Sequence, residues 1–280
     1  MTSTEQKIAA LQAAAARSRE YAEIVPLFLA VYRYVSGREE HTGITIDMSR
    51  VSCAERTGNG FPLISLHEVK VARDHIVPFV LGVIEVLAAQ GKEADADLHR
   101  IGAALADGIL DPQALVLAIV ERRRAPLDEA AATLNVPPPL LEYVFEIPLK
   151  TALERFSATL PQDGFDTWQE AFCPVCGARP GMAELVGEEG KRLLSCSACN
   201  FRWPFKRLKC PSCGCEDTAR MSYFTAGEGA TRVDTCSACS RYIKTRDARK
   251  GTDEVPLEVE DLVTIHLDLL ATREGFERGK

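Results

Sequence analysis

From residue 3 to about residue 156, apolar positions recur every three to four residues in a background rich in Ala, Leu, Glu and Arg. That period fits one face of an α-helix and not the alternation of a strand. It predicts helices over 3–18, 20–36, 66–90, 95–107, 112–122, 126–134 and 138–158, an all-helical bundle. Asp111-Pro112 supplies an N-cap followed by proline at the first helical position, and Gly91 and Gly108 suit helix ends. Residues 36–63 interrupt the pattern with Gly37, Gly43, Gly58, Asn59, Gly60 and Pro62, so a long loop is expected there. Beyond it, 160–169 combines turn residues with two aromatics that could pack it down, and reads as a linker. The pattern then changes to short strands at 191–195, 219–225 and 231–235, flanking Gly-rich turns at 187–190 and 227–229. Helical periodicity returns over 257–275.

Cysteine spacing explains the change of pattern. Four copies of Cys-x-x-Cys form two consecutive sets, Cys173 and Cys176 with Cys196 and Cys199, then Cys210 and Cys213 with Cys236 and Cys239. Two intervening residues let a tight turn aim both sulfurs at one point about 2.3 Å from a metal. In Cys173-Pro174-Val175-Cys176-Gly177 and Cys210-Pro211-Ser212-Cys213-Gly214, proline presets φ and glycine can take the positive φ that turns the chain away. The later knuckles end in Asn200, which tolerates that conformation, and Ser240, which tolerates it less well. Each set is a knuckle, a hairpin and a second knuckle, an internal repeat. The expected fold class is α+β: a helical domain over 1–160, a linker over 161–172, tetracysteine modules over 173–209 and 210–250, and a C-terminal helix and tail over 251–280.

Charge divides the chain at the same place. Residues 173–250 carry 14 Lys or Arg and 8 Asp or Glu, a formal +6, and the remainder carries 19 and 32, or −13. Four thiolates around a divalent ion add about −2 per site, so the loaded metal region is only mildly basic. The overall acidity argues against a general nucleic-acid binder, and the unlike halves leave self-association open. Residues 1–20 lack a basic segment before an apolar core, and Arg17, Arg19 and Glu20 interrupt them, so they do not read as a secretory leader. The apolar runs at 24–32 and 76–89 contain Pro26, Pro78 and Glu85 and are too short to span a bilayer. A reducing compartment, the cytoplasm, is therefore expected, with the cysteines on metal and not in disulfides.

All-cysteine coordination suits zinc or iron, and four protein ligands leave no position for substrate, so the default role is structural. A one-electron, rubredoxin-like iron centre is the sharper reading of the Cys-Pro-x-Cys-Gly turns. Cys215 follows the Cys213-Gly214 turn; including it would break the two-residue spacing, so it is expected to be a bystander, as is Cys53. The histidines (41, 67, 75, 99 and 266) form no pattern with other ligands. Between the sets, residues 201–209 interleave aromatic and basic residues. They read first as a strand with aromatics inward and bases solvated, and alternatively as a single-strand nucleic-acid contact through Arg202, Trp203, Lys206 and Arg207. No phosphate loop, nucleophile elbow or paired catalytic carboxylate is recognisable, so an enzyme is not expected.

The order of these motifs resembles the formate dehydrogenase accessory (formation) protein family. The resemblance rests on Phe172 to Gly177, Gly190 to Cys196, Cys199, Trp203, Arg207, Lys209-Cys210 and Cys213. It continues through Cys236, Cys239, Tyr242-Ile243-Lys244, Asp261-Leu262, Leu267 to Leu270 and Glu274-Gly275-Phe276. It covers about the last hundred residues, and the helical half matches in character only. The resemblance implies a non-enzymatic cytoplasmic maturation factor, acting like a chaperone on the formate dehydrogenase catalytic subunit. It also implies rubredoxin-like folds and two iron ions, or two zinc ions, on the eight paired cysteines. The expected partner-binding surface is a concave one formed by the helical bundle, the hinge at residues 160–172 and the basic aromatic strand with Arg202, Trp203, Lys206 and Arg207.

Overall fold

The helical periodicity becomes helices close to where it predicts them: α1 (Thr4–Arg17), α2 (Val25–Val35), a short α3 (Cys53–Gly58), α4 (Arg73–Ala88), α5 (Asp95–Ala106), α6 (Pro112–Glu121), α7 (Arg124–Leu134) and α8 (Pro138–Ala158). The computed structural model describes residues 3–17, 24–48, 53–91, 93–161, 163–227, 229–250 and 255–279; the expected helix start at residue 20 and the Cys53 side chain lie outside them. Asp111 caps α6 by accepting the Gln113 N–H at 3.0 Å, as Asp-Pro predicts. α6 and α7 each stop on a left-handed residue, Arg122 (φ 57°) and Asn135 (φ 50°).

Two compact units result, one from residues 3–50 with 64–156, the other from 51–63 with 157–280. In the first, Leu11, Ile76, Val80, Ile101, Leu105 and Leu141 are fully buried, the three-four repeat of the sequence turned into a core. Tyr34 crosses α4 at Gly82, where a Cβ would collide with its hydroxyl, and donates to the Phe79 carbonyl at 2.9 Å. The expected helix over 66–90 starts late. Ser65 and Glu68 close one 3-10 turn through the Ser65 N–H and hydroxyl. The chain then extends as β2 (Val69–Val71), antiparallel to β1 (Ile44–Ile46) in the segment expected to be loop. Ile44 and Val69 are buried there, so β-branched residues find burial in a strand pair that their three-residue length conceals.

The second unit is built on β3 (Pro180–Val186), β4 (Lys191–Cys196), β5 (Arg202–Pro204), β6 (Met221–Phe224), β7 (Thr231–Cys236) and β8 (Arg241–Asp247). Each tetracysteine module is a three-stranded antiparallel meander, β3-β4-β5 and β6-β7-β8. The two tandem modules share one sheet: β3 and β8 pair in parallel, from Met182↔Lys244 to Leu185↔Asp247, giving the order β5-β4-β3-β8-β7-β6. The C-terminal pattern breaks at Thr264 into α9 (Leu257–Val263) and α10 (Ile265–Arg273), followed by β9 (Glu277–Arg278), which pairs with β8. The linker is packed down, with Phe165 and Trp168 buried and Phe165 edge-on to Phe201 at 4.9 Å. Among the described residues no helix is long and apolar enough to cross a membrane.

Candidate metal centres

Each Cys-x-x-Cys occupies a turn at the end of a strand or just before one, and the two meanders bring these turns together in pairs. In both groups, Cys173/Cys176/Cys196/Cys199 and Cys210/Cys213/Cys236/Cys239, all four sulfurs lie within 4.8 Å of one another. In the first, Cys173 and Cys199 are 3.5 Å apart, Cys176 and Cys196 3.4 Å, and Cys176 and Cys199 3.6 Å. In the second, the Cys210–Cys239 and Cys213–Cys236 separations are both 3.8 Å. A tetrahedron with about 2.3 Å from centre to sulfur has edges of about 3.8 Å, so both donor sets fit a tetrahedral thiophilic ion such as zinc or iron.

The first knuckles of the two sets superpose bond for bond. The Cys173 N–H donates to Ala178 O (2.8 Å) and the Gly177 N–H to Cys173 O (2.9 Å). The Cys210 N–H donates to Cys215 O (2.8 Å) and the Gly214 N–H to Cys210 O (2.9 Å). Cys215 is thus the counterpart of Ala178: its carbonyl closes the knuckle while its sulfur stays outside the four-sulfur group. All four turns exit through the left-handed region, at Gly177 (φ 71°), Asn200 (φ 55°), Gly214 (φ 74°) and Ser240 (φ 53°). Ser240 therefore makes the same turn as its glycine and asparagine equivalents.

Backbone N–H groups converge on the sulfurs: Val175 on Cys173 (3.4 Å), Ala198 (3.3 Å) and Cys199 (3.4 Å) on Cys196, and Ser212 on Cys210 (3.4 Å). Such donors stabilise thiolates. Burial, then neighbouring sulfurs, pushes the Cys173 and Cys199 thiols up. Burial also opposes ionisation of Cys196, but hydrogen bonds from the other sulfurs and the Cys199 N–H bring it well below the usual thiol range. In the second cluster burial lifts Cys236 to about 11, while the Cys215 N–H and neighbouring sulfurs outweigh burial and lower Cys213. Four sulfurs this close would need a bound cation to ionise together, the work a metal ion would do here.

The basic aromatic segment divides by side. Phe201 and Trp203 are fully buried, and the Trp203 indole N–H donates to Glu170 O at 3.1 Å. Trp203, expected among the contact residues, therefore packs the inside of the sheet and presents no face to a partner or a base. Arg202, Lys206 and Arg207 are exposed; Arg202 pairs with Glu184 at 2.9 Å, Lys206 with Glu216, and Arg207 reaches Glu189 O at 3.4 Å.

Cysteine spacing gave no sign of the charges behind the sheet. The Lys244 ammonium, wholly buried, donates to Asp268 Oδ2 (2.6 Å), Asp261 O (2.7 Å) and Thr264 O (3.3 Å), with Asp261 Oδ1 at 2.9 Å. Arg278 clamps both Asp261 oxygens at 2.6 Å, and the Tyr242 hydroxyl donates to Asp268 Oδ1 at 2.7 Å. Burial, then the Asp268 carboxylate, raises the Tyr242 hydroxyl well above the usual phenol range. The motifs at 242–244, 261 and 268 thus meet in one network that fixes α9, α10 and β9 to β8. Arg192, on β4, performs a similar task between modules: its Nη1 donates to Lys209 O (3.0 Å) and Arg207 O (3.4 Å), pinning the segment that leads into Cys210.

Comparison with known proteins places these features. Residues 172–207 match the family profile described as FdhE, central domain, and residues 208–280 the one described as FdhE, C-terminal domain. An FdhE homolog from Aquifex aeolicus is 36% identical over 115 residues, 40% of this chain and 40% of that protein. One from Edwardsiella ictaluri is 33% identical over 117 residues, 40% of this chain and 36% of that protein. The matched part therefore spans well under half the length of either curated relative. Across the whole chain, the fold is similar to the crystal structure of the FdhE protein from Pseudomonas aeruginosa, with a TM-score of 0.68 at 19% identity, covering 99% of this chain and 94% of that one. At that identity the likeness is one of fold.

Proposed function

We propose that this chain, whose residues 172–280 carry the central and C-terminal domains of the FdhE family, is a non-enzymatic accessory factor for the formation of formate dehydrogenase. It binds the catalytic subunit of that enzyme and carries two tetracysteine-bound metal ions. The observation that carries this reading is the convergence of two four-sulfur clusters on one continuous sheet within the residues that match the family. Cys173, Cys176, Cys196 and Cys199 would hold one ion, and Cys210, Cys213, Cys236 and Cys239 the other. Zinc would supply charge and a fixed geometry, and iron would add a one-electron couple.

The chain's own residues do the rest. The thiolates and their N–H donors hold the hairpin ends, and β3–β8 pairing joins the modules into one surface. Arg202, Lys206 and Arg207 give the β5 edge an exposed positive face suited to an acidic region of the partner. Four protein ligands close each ion, which favours a holding role over catalysis. A reducing, cytoplasmic setting belongs to this reading, because four-thiolate metal centres need their cysteines unoxidised. Single-strand binding is disfavoured because Phe201 and Trp203, the aromatics it would stack on, are buried.

The test is complementation and capture. In cells lacking this chain, formate dehydrogenase activity should return with the parent but not with Cys210→Ser, and tagged parent should retain the catalytic subunit. Charge reversal of Arg202, Lys206 and Arg207 together should weaken capture while leaving metal content unchanged. Full formate dehydrogenase activity without the chain would refute the proposal.

A further inference from the structure

We infer that the two centres divide their roles: the Cys210/Cys213/Cys236/Cys239 centre is the one that exchanges its ion with an outside thiol, and the Cys173/Cys176/Cys196/Cys199 centre keeps its ion. This rests on reading both clusters as metal centres. In the first cluster, Cys173, Cys196 and Cys199 are 0%, 2% and 0% exposed and Cys176 is half-buried. Distant segments tie its knuckles down: the Leu63 N–H donates to Pro174 O (2.9 Å), the Ser157 hydroxyl to Cys199 O (2.7 Å), and the Trp168 indole to Phe172 O (2.8 Å). In the second cluster Cys210 and Cys236 are buried, but Cys213 is exposed and Cys239 half-buried. Gly214, which follows Cys213, is exposed as well.

An ion with four thiolate ligands leaves through ligand exchange, in which an incoming sulfur reaches the ion as a resident one departs. At the first cluster that approach would require packed segments to open. At the second it runs over the Cys213 sulfur from solvent. The step balances without redox chemistry: the incoming thiol forms a new metal–sulfur bond, the bond to Cys213 Sγ breaks, and the thiol proton passes to the Cys213 thiolate. The metal keeps its oxidation state. The acceptor class is a thiol, on a small molecule or on a partner polypeptide.

The experiment loads the full chain with zinc and follows transfer to pyridylazoresorcinol with and without glutathione. Two phases of equal amplitude are expected, the faster accelerated by glutathione and separated from the slower by at least tenfold, about 1.4 kcal/mol in barrier. The Cys236→Ser/Cys239→Ser variant should keep only the slow phase. On a Cys53→Ala/Cys215→Ala background that removes both thiols outside the clusters, iodoacetamide mapping of the loaded protein should modify Cys213 first, a readout that does not depend on how the Cys236→Ser/Cys239→Ser variant folds. A single phase, a fast phase that survives in the double variant, or first modification in the first cluster would overturn the inference. Protein that never holds two ions would instead remove the metal reading beneath it.

Discussion

Replacing Lys244 with methionine removes the one ammonium at the centre of the charge network while keeping most of its volume. Its side chain is 0% exposed, and those of its partners Asp261 and Asp268 are 25% and 18% exposed. Removing one partner of a buried pair costs about 3–5 kcal/mol, because the charge left behind keeps its desolvation penalty. Arg278 still holds Asp261 at 2.6 Å and reaches Asp268 at 3.4 Å, and the Tyr242 hydroxyl still donates to Asp268. The loss should therefore fall near the lower end, about 3 kcal/mol; at an m-value of about 3 kcal/mol/M this lowers the urea midpoint by about 1 M. Both tryptophans, Trp168 and Trp203, lie in the second unit, so their emission follows its unfolding. Asp268→Leu alone and combined with Lys244→Met completes a double-mutant cycle, with an expected coupling of about 1–3 kcal/mol. A single-variant cost below about 0.5 kcal/mol, or additive variants, would refute the idea that Lys244 fastens the C-terminal helices through these carboxylates.

Chelation of the loaded protein should unfold the second unit, seen as a red shift of tryptophan emission, while most far-ultraviolet helix signal persists; Cys210→Ser should bind one ion per chain where the parent binds two. Gly82→Ala should cost about 1–3 kcal/mol in the first unit, measured by helix melting, because the added Cβ meets the Tyr34 hydroxyl. Tyr242 has a folded pKa raised above its unfolded value of about 10, so its contribution is present below pH ~10 and is lost as pH rises beyond that. Tyr242→Phe should flatten the alkaline decline in stability and cost about 1 kcal/mol at neutral pH. Ser240→Gly should stabilise the second unit by about 1 kcal/mol, read from its thermal midpoint, since glycine accepts φ 53° without strain.

Helices with a long apolar repeat were legible because the signal accumulates over several turns; α5, α6 and α8 begin and end within a residue or two of expectation. The two four-sulfur clusters were legible because the spacing that a metal site requires survives changes in the surrounding residues. β1 and β2 were less so. Three residues are too few to show alternation, and the pairing partner of β2 lies more than twenty positions upstream. Trp203 stood among the expected contact residues although the first reading of 201–209 already turned its aromatics inward. The inward reading is the one realised, with Trp203 fully buried and its indole N–H on Glu170 O.

The joining of the modules was hidden for a more instructive reason. Read locally, the repeat describes two similar hairpins between knuckles, each with its own set of four cysteines. Whether they remain separate depends on whether β3 and β8 can share a sheet, and that requires charged residues to be buried between them. Glu184 and Arg246 face each other in register across β3 and β8, both buried, with their side chains 3.0 Å apart. Lys244, two positions earlier on β8, serves the C-terminal helices. As isolated letters, Glu184, Lys244 and Arg246 look like solvated strand residues that would forbid a central position. Each is tolerated because its partner comes from an element far away in sequence, so the pairing makes the central strands possible and remains invisible until the fold exists. The same charges disfavour wrong pairings: shifting β8 by one residue against β3 would bury Glu184 and Arg246 apart, at a cost of several kcal/mol. The Glu184–Arg246 pair thus favours one register between the two modules, and with it one relative placement of the two four-sulfur clusters.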